Sequence, residues 1–194
     1  MGMYLIPYAV DIEKVKSTFN SKSEDLYTAI RQNSTYQSYA SQGSDNEVTS
    51  DKALRQIIFG EEKDAKFAHV YGYTLIGIVA HWGTEIATEG DIFKFGSIMD
   101  EQDDKLREFG LSFRMEELVE PIYNFDIPRN TDFPMIGGCG RSTIKSLQTQ
   151  LNGIAALNAE VDPWDYPGLG GVVVLKRGVN LCVKDELDWI SFVH

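Results

Sequence analysis

The chain has 194 residues, 43% of them hydrophobic, which is enough to fill the core of one domain without disulfides or metal. Its 18 basic and 29 acidic residues leave a net charge of −11, a surface that repels phosphate backbones and anionic lipid, so nucleic acid and membranes are set aside as direct ligands. The two cysteines, Cys139 and Cys182, are too few for a disulfide framework and read as free thiols.

Residues 1–10 interleave Tyr4, Ile6 and Tyr8 with Leu5 and Val10, side chains suited to a strand, and Pro7 places that strand at a sheet edge or a bulge. The segment has no basic stretch or small-residue cleavage site, and Ile6 stands where a myristoylation motif needs Ser or Thr, so a cytoplasmic chain is expected. Asp11 caps a short helix through Phe19, and Ser23, followed by Glu24 and Asp25, caps a second through about Gln32. Asn33 to Ser50 are rich in Ser, Asn, Gln and Gly and are expected to form a flexible surface connection. Ser50 caps the next helix, whose Leu54, Ile57 and Ile58 share a face and whose stop is Gly60. A charged turn, residues 61–66, leads into Phe67 to Thr84, the longest apolar stretch. Two histidines and three glycines within it argue against a bilayer span and for a buried central helix ended by Gly83.

Ser97 precedes a helix carrying Ile98, Met99, Leu106 and Phe109 and closed by Gly110, with Asp100, Glu101, Asp103 and Asp104 where acids suit the helix dipole. Leu111 to Val119 fits a short helix or a strand, and Pro121, Pro128 and Pro134 frame irregular structure. Ser142 or Thr143 starts a helix with Ile144, Leu147, Leu151, Ile154 and Leu157 along one stripe. Val172 to Val183 fits a β-branched helix or a hairpin, and Leu187 to His194 a final strand that pairs with the first. The fold class that results is α+β, a predominantly helical single domain over residues 1–194 with a small sheet formed by N- and C-terminal strands.

Three groupings carry chemistry. Met135 to Thr143 is glycine-rich and runs into a helix, a pattern compatible with an anion nest. It lacks the first glycine and the lysine of a nucleotide-binding loop, and a tight turn with glycines at positive φ and Ser142 as cap accounts for it. Cys139 lies near Arg141 and a helix start, which favour a thiolate nucleophile, but a small side chain packed in a turn is the ordinary explanation. His69 and Tyr73 share a helix face beside Tyr71, compatible with a hydrogen-bonded pair in a pocket or with packing. His81 is twelve residues from His69, too far along a helix to share a metal, so no metal and no cofactor are expected. No residue is assigned a catalytic role.

The stretches YLIPYAVDIEKV, HVYGYTL, DFPMIG and WISFVH resemble landmarks of a bacterial family of similar length classed as a domain of unknown function. The resemblance carries no activity. It implies that His69, Tyr71, Gly72, Tyr73, Asp132, Phe133 and Pro134 are the places to look for a common site, and it favours helix over hairpin for Val172 to Val183.

The functional expectation is an acidic protein-binding domain, in the manner of an immunity or antitoxin-like protein that occludes a basic partner. Asp100, Glu101, Asp103, Asp104, Glu116 and Glu117 supply charge, and Trp164, Asp165 and Tyr166 supply aromatic anchors in a proline-framed turn. The alternative is a small cytoplasmic enzyme or ligand-binding domain with a pocket of His69, Tyr71, Tyr73, Asp132, Cys139, Arg141 and the Gly137 to Gly140 loop. Oligomeric state is not legible in the chain.

Overall fold

Short polar side chains placed one residue ahead of a helical stretch start four helices in the N-terminal half. Asp11 accepts the Glu13 N–H to begin α1 (Ile12–Thr18), and Ser23 accepts that of Leu26 to begin α2 (Glu24–Arg31). Asn33 accepts the N–H groups of Thr35 and Tyr36 to begin α3 (Ser34–Gly43), and Thr49 accepts that of Lys52 to begin α4 (Ser50–Phe59). The computed structural model describes residues 3–87, 94–130, 132–158 and 169–194. The chain packs as two compact units, a first of Met1–Ala9, Glu85–Tyr123 and Ile136–His194 and a second of Val10–Thr84 and Asn124–Met135.

The second unit is built on α5 (Ala68–Trp82), whose side chains are apolar on nearly every side and which α1, α3 and α4 therefore cover. The segment expected to be a flexible connection, 33–50, is largely α3, packed against α5. Composition misleads there because the contact is made by small and aromatic groups: Tyr36, Tyr39, Ala40 and Gly43 recur at helical spacing. Gly43 faces the Cβ of Tyr73, and Gly77 of α5 faces the Tyr36 ring, so the two backbones approach where no Cβ intervenes. The α4 cap is Thr49 and not Ser50. Ser50 is buried in the first turn, where its hydroxyl donates to the Ala40 carbonyl at 3.0 Å. Gly60 ends α4 in the left-handed region with φ 71°, as its position predicts. The last carbonyls of that helix are met from outside, Ile57 by the Asn20 N–H and Ile58 by the Lys22 N–H.

The first unit holds a small sheet of β1 (Met3–Val10), β2 (Gly83–Glu85, within which the chain passes from one unit to the other), β3 (Lys94–Phe95), β4 (Met135–Cys139) and β5 (Asp188–Val193). Its order is β2-β1-β5-β4, with β3 also paired to β1. Tyr4 and His194 exchange both backbone hydrogen bonds, at 2.9 and 3.2 Å, so the N- and C-terminal strands pair antiparallel as expected. β1 is interior, which corrects the edge position inferred from Pro7. Since Tyr4 faces β5, Pro7 turns the other way, toward the short strands β2 and β3, where its carbonyl accepts the Ile86 N–H at 2.8 Å.

Helices α6 (Ser97–Glu108), α7 (Arg141–Asn152) and α8 (Leu169–Lys184) complete the first unit, α8 packing against α6, α7 and β5. Gly96 at φ 103° leads into α6 in place of a Ser97 cap, and Gly110 at φ 80° follows it. Leu111 to Val119 is neither regular helix nor strand; Met115–Val119 form a 3-10 turn. α7 starts at Arg141, so Ser142 and Thr143 lie inside its first turn, and it stops at Gly153, leaving Ile154 and Leu157 to the short turn beyond. Val172 to Val183 is helix, within α8. The glycine-rich segment is a strand and not a turn, and Gly137, Gly138 and Gly140 are not among the glycines of positive φ. The glycines answer a different need. Gly137 lies against the Val119 backbone and Gly138 against the Tyr123 ring and the Trp189 carbonyl, leaving no space for a Cβ. The architecture is α+β and predominantly helical, and among the described residues no helix is long and apolar enough to cross a membrane.

Candidate functional site

On the first unit, helix geometry divides the acidic residues of α6 and of the turn after it into two kinds. Asp103 and Glu117 are half-buried and structural: Asp103 accepts the Met115 N–H at 2.7 Å, and Glu117 accepts the Arg114 N–H at 2.9 Å. Asp100, Glu101, Asp104, Glu116 and Glu120 are exposed. Asp104 pairs with Arg107 at 2.6 Å and Glu116 pairs with Arg114, whereas among the described residues Asp100, Glu101 and Glu120 meet no cation. Sequence spacing did not separate these roles because both kinds recur on the same helical turns. Trp164, Asp165 and Tyr166 lie outside the described residues.

Cys139 and Arg141 also belong to the first unit. Cys139 ends β4, buried, and that burial pushes its thiol up to about 11, only partly offset by a hydrogen bond with Thr143. Of the two readings of Cys139 the packed side chain is favoured over the thiolate, because loss of solvation outweighs the helix start and the nearby arginine. Arg141 points its guanidinium at Asp188, 3.0 Å away. Cys182 is buried as well, pushed up to about 12 by desolvation and then by the Asp188 charge, and its thiol donates to the Asp188 carbonyl at 3.7 Å. A cavity of about 130 Å³ lies between Arg141, Ile144, Lys145, Cys182, Glu186 and Leu187. That is small beside the roughly 300–1,000 Å³ of ordinary ligand pockets.

On the second unit, His69, Tyr71, Tyr73 and Asp132 fall on α5 and on the irregular segment near its start. Tyr71 is fully buried and structural: its hydroxyl donates to Gln56 Oε1 at 2.8 Å and accepts the Asp64 N–H at 3.1 Å. Tyr73 is half-buried and stacked on Tyr39 with ring centroids 6.4 Å apart; burial, and then the Asp132 charge, raise its phenol above the usual range. His69 is half-buried, and His81, its ring edge-on to Trp82, is pulled below the ordinary imidazole range by burial. Gly72 faces the Pro134 ring, where a Cβ would stand 2.9 Å from ring carbons, so the stretches HVYGYTL and DFPMIG meet at this glycine. An open polar groove of about 620 Å³, not anticipated from the sequence beyond a charged turn, is lined by Gln56, Glu61, Glu62, Lys63, Asp64 and Ala65. Lys63 is turned to Asp126 at 2.9 Å, Glu61 is paired with Arg55 at 3.5 Å, and Asp64 accepts the Lys66 N–H at 2.9 Å, so that of the three acids on the groove only Glu62 meets neither a cation nor a cap among the described residues. The signal for it was three acids within four positions between two helices.

Among the described residues, His, Cys, Asp and Glu side chains form no group of three suited to a metal ion. The model of the family described as Domain of unknown function (DUF7691) matches residues 1–194, and the chain belongs to that family. No curated protein and no solved structure matches it.

Proposed function

We propose that this member of the family is a protein-binding domain that occludes a basic partner, in the manner of an immunity or antitoxin-like protein. The observation that carries the reading is the outer face of α6 and the turn after it, where Asp100, Glu101 and Glu120 are exposed and meet no cation among the described residues. Each such carboxylate keeps its full field in solution, and a set of them accelerates encounter with a basic surface. The groove on the second unit, lined by Glu61, Glu62 and Asp64, adds a concave feature of the kind a lysine or arginine side chain enters, with Glu62 as the acid that has no cation partner among the described residues. The buried, protonated thiols favour binding over nucleophilic catalysis.

The test is affinity capture from native lysate with the wild type, with Asp100→Lys plus Glu101→Lys, and with Glu61→Lys plus Glu62→Lys. A basic partner should be held by the wild type, released by about 0.5 M salt, where the Debye length is only a few ångströms, and lost by at least one reversed variant. Capture that ignores both reversals and salt overturns the proposal, as does recovery of no basic protein.

A further inference from the structure

Gln102 sits midway along α6 with only 1% of its surface exposed. Among the described residues neither its Nε2 nor its Oε1 has a hydrogen-bond partner. Buried amides are normally paired, because both the donor and the acceptor lose water on burial. The side chain is aimed at the first turn of α8: the amide lies where a Cβ on Gly171 would stand, and glycine alone admits it there. Gly170 and Gly171 are both buried. The first-turn N–H groups of a helix have no acceptor within the helix and form its positive end. α8 has no acidic side chain in that turn to neutralise it.

From this placement we infer that Gln102 and the N-terminal turn of α8 form a binding site for a protonated oxyanion, a hydrogen phosphate group. The chemistry selects it. Helix N–H groups and the Gln102 Nε2–H supply donors to phosphate oxygens, while Gln102 Oε1 requires a donor, which the P–OH of hydrogen phosphate provides. Sulfate at neutral pH has no proton to give and would leave Oε1 unpaired. The enclosure of Gln102 favours inorganic phosphate over an ester.

The experiment titrates the wild type and Gln102→Leu with inorganic phosphate, methyl phosphate and sulfate at matched ionic strength, reading Tm and the backbone amide resonances of Gly170 and Gly171. Phosphate should raise the wild-type Tm saturably and shift both resonances, with sulfate at least tenfold weaker. A methyl phosphate response as strong as that of phosphate would assign the site to phosphate esters, and its absence to the free ion. Gln102→Leu should lose the response while its Tm without phosphate stays at or above that of the wild type, since leucine removes two unpaired polar atoms at similar volume. The inference fails if sulfate matches phosphate, if the Gly170 and Gly171 resonances do not move, if Gln102→Leu still responds, or if that variant is markedly less stable. The resonance titration uses the wild type alone and stands even if the variant does not fold.

Discussion

Replacing Gly77 by alanine tests the packing of α3 on α5. A Cβ at that position would lie 2.5 Å from Tyr36 Cδ2, 2.9 Å from its Cβ and 3.0 Å from its Cα. Carbon pairs prefer roughly 3.5–4.0 Å, and while a ring can swing, a Cα moves only with its helix. Tyr36 is also held at its far end, where its hydroxyl donates to Asp51 Oδ1 at 2.9 Å, and Asp51 is in turn paired with Arg31 at 2.6 Å. Overpacking of this kind costs about 1–3 kcal/mol. If the ring shifts enough to release Asp51, a charge-assisted hydrogen bond worth about 1.5–3 kcal/mol is lost as well. Against these stands the roughly 1 kcal/mol by which alanine is the better helix former. The expected net loss is about 2 kcal/mol, a fall of roughly 4–8 °C in Tm for a chain of this size, read by thermal and urea unfolding. Tyr36→Phe, which frees the ring from Asp51, should make the Gly77→Ala cost non-additive by about 0.5–1 kcal/mol. A Gly77→Ala protein more stable than the wild type by the roughly 1 kcal/mol that propensity alone predicts would refute the contact.

Gly153→Ala should behave oppositely, gaining roughly 0.5 kcal/mol in urea unfolding through the unfolded chain, since Gly153 has φ −72° and its added Cβ would meet only the Gln150 and Thr149 carbonyls at 3.4 and 3.8 Å. Tyr71→Phe should cost about 1–3 kcal/mol by leaving Gln56 Oε1 and the Asp64 N–H without the hydroxyl that joins them, again measured by denaturation. Cys139 and Cys182 titrate at about 11 and about 12 in the folded chain, above the ordinary thiol value of 9.0. The folded chain therefore keeps these protons longer than the unfolded one. Their contribution to stability is full below about pH 9 and is lost as pH rises through about 11 to 12. Urea midpoints between pH 8 and about 11 should fall with a slope that Cys139→Ala and Cys182→Ala reduce, and both thiols should resist alkylation until denaturant is added.

Local chemistry marks the ends of most elements in this chain. Asp11, Ser23, Gly60 and Gly110 act where they stand in sequence, because a cap or a left-handed stop involves only neighbouring backbone. The apolar run of α5, the stripe of α7 and the terminal strands were legible for a related reason: periodicity of burial is written into the order of residues. What α3 packs against, why Gly137 and Gly138 are glycines, and which α6 carboxylates are structural depend on partners far along the chain, so no local pattern could reveal them. The same holds for the candidate site. The charge of α6 is a property of composition, but whether Cys139 is an accessible thiolate or a protonated buried thiol is a property of solvation. The amide of Gln102, without a partner among the described residues, is where it is because two helices meet at Gly171, a contact that distance in sequence conceals.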